Sequence, residues 1–193
     1  MLRGKNMRII AGKYKGRVLK SLERIEVRPT LDRIKQPLFS IIQFYIPHSI
    51  VLDLFSGSGA LGLEALSRGA DEAVFVDKNK DCCLVTENNV KMIGENSTVL
   101  CKDYASALMN FKAKNKKFDI IFLDPPYALN LGQPVIEKIA EYKLLNEDGI
   151  IVYEHLYDKN FKLKLPKRLE VYDSRKYGIV GIEFVRFILD NKI

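Results

Sequence analysis

A strand that runs into a glycine-rich turn and then into a helix constrains this chain more than any other feature. VLDLFSGSGALGLEAL occupies 51–66, the apolar run ending at Asp53–Leu54 and the turn carrying Gly57 and Gly59. Glycines there permit left-handed backbone and close approach of a ligand. The chain then alternates. Strand-like runs stand at 50–55, 72–77, 97–103, 118–124 and 149–155, and helix candidates follow the first four at 60–68, 79–93, 104–114 and 133–145. Gly69 and Gly94 stand where helix ends favour a left-handed residue. Apolar strands separated by amphipathic helices predict an α/β fold with a mostly parallel sheet covered on both faces. The tail, LEVYDSRKYGIVGIEFVRFIL, leaves no room for a crossover helix between its two β-rich runs. A hairpin around SRKYG is expected, with the last strand antiparallel to its partner.

Ligands of open α/β sheets bind at the carboxyl ends of the strands, so the residues at those ends carry the chemistry. Gly57, Gly59 and Gly62 match a dinucleotide fingerprint, and Asp77 follows Gly57 by 20 residues. Asp53, however, stands immediately before the turn, where its carboxylate would repel a pyrophosphate. It suits a cofactor with a cationic ammonium and sulfonium, S-adenosyl-L-methionine. On that reading Phe55, Ser56, Gly57 and Gly59 form the cofactor turn. Asp77, beside Lys78, takes ribose hydroxyls, and Asp103 with Tyr104 meets the adenine. A dinucleotide, or a turn that needs glycine only for packing, remains the alternative.

The second motif is Asp124-Pro125-Pro126-Tyr127, at the end of FDIIFLD. Each proline fixes φ and lacks an N–H, so the loop is stiff. It can aim the Asp124 carboxylate and the Pro125 carbonyl at one point. An exocyclic base amine needs such acceptors, because its lone pair is delocalised into the ring and it is a poor nucleophile. Tyr127 offers a ring for stacking on the base. Asp124, Pro125 and Tyr127 are therefore the candidate catalytic residues, with Asp124 also facing the cofactor.

Charge separates the arm from the body. Residues 1–36 hold 11 Lys/Arg and 3 acids, a balance of +8, and the remaining 157 residues hold 20 and 21, a balance of −1. A polyanionic partner explains such an excess; a solvated charged tail is the plainer alternative. MRIIAGKYKGRVLK at 7–20 interleaves apolar and basic residues, which predicts two short strands about a turn at Gly12. The expected division is a basic hairpin arm at 1–27 and a catalytic domain at 28–193. Arg8, Lys13, Lys15, Arg17, Arg28, Arg33 and Lys35 are the candidate phosphate ligands, with Arg175 and Lys176, beside Tyr177, as a second contact. Residues 1–6, ahead of Met7, are expected to be an expression remnant or an upstream start.

Cys82, Cys83 and Cys101 lack metal-ligand spacing, and His48 and His155 stand alone. Reduced thiols in a cytoplasmic protein without a metal site are expected. No apolar stretch approaches the length needed to span a bilayer. A monomer is expected.

DxFxGxG at 53–59 and DPPY at 124–127 resemble the class I methyltransferase superfamily in its amino-methylating branch. MRIIAGKYKGRVLK at 7–20, RPTLDRIKQPLFSII at 28–42, LDLFSGSGALGLEALSRGA at 52–70 and RKYG at 175–178 resemble the RsmD family of bacterial 16S ribosomal RNA guanine-N2 methyltransferases. The resemblance implies a Rossmann-like class I methyltransferase sheet with a small basic N-terminal hairpin and helix extension. It implies methyl transfer from S-adenosyl-L-methionine to the amino group of one loop guanine in 16S rRNA, with the assembling small subunit as substrate and no metal. The sequence departs from the family at Lys35-Gln36-Pro37; Pro37 is expected to kink a helix running from Asp32 or to begin a new one. An N6-adenine methyltransferase acting on DNA or RNA, and an RNA-binding assembly factor without catalysis, are the competing readings.

Overall fold

The computed structural model describes residues 7–22 and 30–188, with the backbone alone at 30–33. The expected boundary at 27–28 lies outside the described residues. The elements run α1 (Thr30–Ile41), β1 (Ile50–Asp53), α2 (Ala60–Ser67), β2 (Glu72–Asp77), α3 (Lys80–Ile93), β3 (Ser97–Cys101), α4 (Tyr104–Ala113), β4 (Phe118–Leu123), α5 (Gly132–Glu141), β5 (Leu145–Leu156), β6 (Leu169–Tyr177) and β7 (Val180–Phe187). Seven strands form one sheet in the order β3-β2-β1-β4-β5-β7-β6. The first five are mutually parallel, so their carboxyl ends share one edge. β7 pairs antiparallel with both β5 and β6.

Alternation along the strands explains the layers, because successive side chains leave opposite faces of a sheet. Val51, Phe75, Ile120, Phe122, Val152 and Phe184 pack on one face with Leu38 and Phe39 of α1 and Leu63 and Leu66 of α2. Leu52, Val74, Ile121, Leu123, Ile151 and Val185 pack on the other with Leu108 and Phe111 of α4 and Val135, Ile136 and Ile139 of α5. Both faces are covered, which is why the central strands read as continuous apolar runs.

Two sequence expectations are corrected. The fourth helix candidate ends at Glu141, not residue 145. Lys143 takes φ 54°, which breaks the helix, and the Leu144 carbonyl accepts from Phe118 as β5 begins. β6 runs on through Arg175 and Lys176, and the expected hairpin turns at Gly178 (φ 63°), the last residue of SRKYG. Pro37 does not start a new helix: α1 is continuous from Thr30 to Ile41 with the proline inside it. The buried side chains of Ile34, Leu38, Phe39 and Ile42 hold that helix to the sheet on either side of the proline.

The two strands expected in the arm do not form; its described part turns back on itself with one antiparallel bridge, Arg8 to Val18. Met7, Ile9 and Leu19 are buried in the core. Glu64 of α2, wholly buried, is its anchor. Its carboxylate accepts from the Ile10 and Ala11 amides at 2.9 and 3.0 Å and from Arg68 Nε at 2.9 Å. Lys35 Nζ stands 3.3 Å away. A buried carboxylate survives only when so completely paired. Gly12 (φ 80°) closes the arm's turn against α2, where a Cβ would lie 1.8 Å from the Ser67 carbonyl oxygen.

Candidate active site

The sheet edge gathers Asp53, Asp77, Asp103 and Asp124 at the ends of four adjacent strands. After β1 the chain makes the turn that the sequence predicts. Gly57 and Gly59 adopt φ 54° and 79°, the region that disfavours side chains. A Cβ on Gly57 would meet open space, so this face of the turn stands free for a ligand. At Gly62 the need is different, since a Cβ would lie 2.3 Å from the Phe75 ring and the glycine lets α2 settle on the sheet.

Asp53 is buried, and its Oδ2 accepts from the Gly62 amide at 3.1 Å. Burial pushes its carboxyl up to about 7, a shift that the Gly62 amide opposes and the nearby Asp77 carboxylate augments. Asp77 braces the turn, accepting from the Gly57 amide at 2.9 Å and the Asn79 amide at 2.8 Å. The Ser56 hydroxyl is buried with no hydrogen-bond partner among the described residues. Phe55 and Tyr104 are half-buried with ring centroids 5.8 Å apart, on the side of the edge that carries β3. Asp103 caps α4 by accepting from the Ser106 amide at 3.0 Å, and hydrogen bonding from Ser106 holds its carboxyl below the usual value. Lys78 is exposed at the same edge.

These residues fit S-adenosyl-L-methionine. The open glycine turn, the unpartnered Ser56 hydroxyl inside it and a carboxylate before it form a polar cradle. Two half-buried rings packed together beside it offer an apolar surface. A further two residues support this turn that the sequence did not single out. Thr86 of α3 donates to the Gly57 carbonyl at 2.9 Å, and Asn89 donates to the Ser58 carbonyl at 2.9 Å.

After β4, Asp124 is half-buried, Pro125 buried and Pro126 exposed. Tyr127 opens a single 3-10 turn to Leu129, closed by Asn130 at φ 45°. The Tyr127 hydroxyl donates to Glu154 Oε1 at 2.8 Å, and Glu154 is buried near the end of β5. Glu154 is a further candidate residue that the sequence reading missed. The signal was available, since GIIVYEH ends a buried strand on an acid, as IVLD and FDIIFLD do.

The candidate phosphate ligands divide. Arg8 and Lys15 are exposed on the arm, with Arg8 reaching the Gly16 carbonyl at 3.4 Å. Lys13 pairs with Glu95 at 2.8 Å, and that carboxylate, with Tyr14, holds its ammonium above the ordinary value. Arg17 donates to the Met92 carbonyl at 3.0 Å. Arg175 pairs with Asp173 at 2.9 Å, and the Lys176 ammonium lies 4.1 Å from the centre of the Tyr157 ring. Lys35 is corrected. It is fully buried, donates to the Arg8 carbonyl at 2.6 Å and pairs with Glu64, so its charge is spent on the fold. Arg28 lies outside the described residues, as does the side chain of Arg33.

No described helix is long and apolar enough to cross a membrane. Residues 7–186 match the family described as "Conserved hypothetical protein 95". Bacillus subtilis YlbH is 37% identical over 181 residues, covering 91% of this chain and 96% of that protein. The Haemophilus influenzae ribosomal RNA small subunit methyltransferase D is 35% identical over 183 residues, 91% of each chain. The solved structure of Escherichia coli yhhF superposes with a TM-score of 0.83 at 28% identity, covering 94% of this chain and 98% of that one. With the acidic glycine turn and the DPPY loop on neighbouring strand ends, this chain belongs to the RsmD-like ribosomal RNA small subunit methyltransferase family, enzymes of the class I S-adenosylmethionine-dependent fold.

Proposed function

We propose that the protein methylates the exocyclic N2 amine of a guanine in 16S rRNA, acting in the cytoplasm as a monomer on the assembling small subunit. The observation that carries this reading is the stiff Asp124–Tyr127 loop on β4, one strand from the glycine turn on β1. S-adenosylmethionine, when bound, supplies an electrophilic methyl on a sulfonium. Asp53 holds the ammonium of its methionine end, and the Ser56 hydroxyl has hydrogen-bonding capacity to spare there. Asp77 accepts from the ribose hydroxyls, while Phe55 and Tyr104 enclose the adenine and Asp103 accepts from its amino group.

The substrate guanine, unstacked from its loop, enters beside Tyr127. The Asp124 carboxylate and Pro125 carbonyl accept from the two N–H groups of N2, which localises the nitrogen lone pair and aims it. Tyr127 stacks on the base, and Glu154 fixes the plane of its ring through the phenol. The rate gain comes chiefly from this positioning. Arg8 and Lys15, with Lys13 and Arg17 held close by, grip RNA phosphates along the arm; Arg28 and Arg33 extend that set in sequence.

The deciding experiment is transfer of labelled methyl to unmodified small-subunit particles, followed by nuclease digestion and mass mapping. A single N2-methylguanine in 16S rRNA is expected. N6-methyladenine, or labelling of DNA in its place, would refute the assignment.

A further inference from the structure

The loop after β4 has two sides. The glycine turn and its carboxylates lie toward β1 and β2. On the other side, between this loop and the chain leaving β5, is a cavity of about 330 Å³. That is within the range of small-ligand sites. Pro125, Pro126 and Tyr127 form one wall, so the same loop borders both spaces.

The opposite wall is aromatic. Tyr153 and His155 are buried and stack with centroids 5.3 Å apart, and Phe161 stacks on His155 at 4.0 Å. His155 is locked in place. Its Nε2 stands 3.2 Å from Glu183, its Nδ1 2.9 Å from the Leu156 carbonyl, and a Cβ on Gly181 would lie 2.5 Å from the ring. Polar groups occupy the mouth. Asp158 is exposed and turned by the Asn160 amide, which donates to its Oδ1 at 2.9 Å; Asn130 faces it from the other loop. Beyond the mouth the surface is both apolar and basic. Leu156, Tyr157 and Ile179 are exposed, with Lys176 over the Tyr157 ring.

Aromatic walls with hydrogen-bonding groups at the rim and cations outside are what an unstacked nucleotide requires. We propose that this cavity is a subsite for a second base of the substrate RNA, the immediate neighbour of the methylated guanine, read by Asp158 and Asn130. The inference rests on the RNA-methylating function proposed above. A nucleotide flipped beside Tyr127 leaves its neighbour without a stacking partner, and the cavity is directly across the loop. The Asp158 carboxylate only accepts, so it favours guanine, whose N1–H and N2–H present two adjacent donors, over uracil, which presents N3–H alone.

The test uses small-subunit particles reconstituted with rRNA transcripts in which each neighbour of the methylated guanine is replaced in turn. For the wild-type chain, uracil at one of the two neighbouring positions should lower kcat/KM by about tenfold relative to guanine, the size of one lost base contact. Asp158→Ala should methylate both particles equally, at the lower rate. The residue is exposed, so the variant keeps its fold, and identical particles serve both proteins. Equal rates for the wild type at both neighbours would overturn the subsite and leave the methyl-transfer reading intact, as would discrimination that persists in Asp158→Ala. Absence of methylation on every particle would overturn both.

Discussion

Asp53→Asn separates what a buried charge costs the fold from what it does for the cofactor. Burial raises the Asp53 carboxyl from 3.8 to about 7. Because the folded chain then holds a proton that the unfolded chain releases, stability falls as pH rises through this window and levels off above about 7. Three units correspond to roughly 4 kcal/mol at pH 8. At pH 5 about half of the penalty is absent, and about 2 kcal/mol remains by the same linkage. Asparagine has nearly the same shape and can still accept from the Gly62 amide, but it never ionises. Its amide N–H adds a desolvation cost that does not vary with pH, of about 1–3 kcal/mol. The stability difference between variant and wild type should therefore shift in favour of Asn by about 2 kcal/mol from pH 5 to pH 8, whatever its absolute offset. Urea denaturation at the two pH values measures it. Calorimetry with S-adenosylmethionine gives the other half. Wild-type affinity should fall as pH drops from 7 to 5, since the ammonium needs the ionised carboxylate, and the variant should bind more weakly with a flatter profile over that range. A stability gap that does not change with pH would show that Asp53 is not held near neutrality by burial. Undiminished cofactor affinity in the variant would refute its role toward the ammonium.

Asp124→Ala should abolish methyl transfer while calorimetric affinity for the cofactor stays within a few-fold; near wild-type turnover would contradict its role at the amine. Reversing Arg8 and Lys15 together to Glu should weaken RNA binding and reduce the slope of log K against log salt by about 0.7–0.9 per lost phosphate contact, with cofactor binding unaltered. This pair is preferred to Lys13, whose reversal would set two carboxylates together at Glu95. Gly62→Ala should destabilise the fold by about 1–3 kcal/mol in thermal or urea melts, because the new methyl meets the wholly buried Phe75 ring. No change in the melt would mean that α2 can lift from the sheet at little cost.

What the sequence made legible was whatever depends on local pattern. Gly57, Gly59, Gly69 and Gly94 all take positive φ, as their places after strands and helices imply. Asp53, Asp77 and Asp103 fall at strand ends because apolar runs of defined length deliver them there. The errors share a cause, since each needed knowledge of a partner distant in the chain. Lys35 looks like any other cation of a basic segment until α1 packs on α2 and the Glu64 carboxylate, 29 residues on, meets it. Leu144 and Leu145 continue an amphipathic helix on paper, yet pairing with Phe118 draws Leu145 into β5. Pro37 reads equally as the first-turn residue of a new helix, and burial of the residues around it keeps α1 continuous instead. Glu154 matters through Tyr127, a contact that only the juxtaposition of β4 and β5 creates.

The arm's attachment bears on why it is built as part of the core and not as a loose basic tail. A flexible tail would hold RNA phosphates but would leave the catalytic edge free to take any orientation toward the bases, since phosphate contacts position only what is rigidly joined to them. Here the joints are specific. Asn89 holds both ends of one connection: its amide donates to the Ser58 carbonyl in the cofactor turn and to the Lys20 carbonyl in the arm, and its Oδ1 accepts from the Lys20 amide. Met7 of the arm meets Ser58 directly, with the hydroxyl 3.7 Å from sulfur. Glu64, one turn beyond the start of α2, ties Ile10 and Ala11 to the helix that the glycine turn begins. The segment carrying the exposed cations Arg8 and Lys15 is thus fixed to the glycine turn proposed to hold the methyl donor. Phosphates held by such an arm would be registered against the glycine turn, and through the β1–β4 pairing against Asp124 and Tyr127. Such registration would present one base amine to one loop.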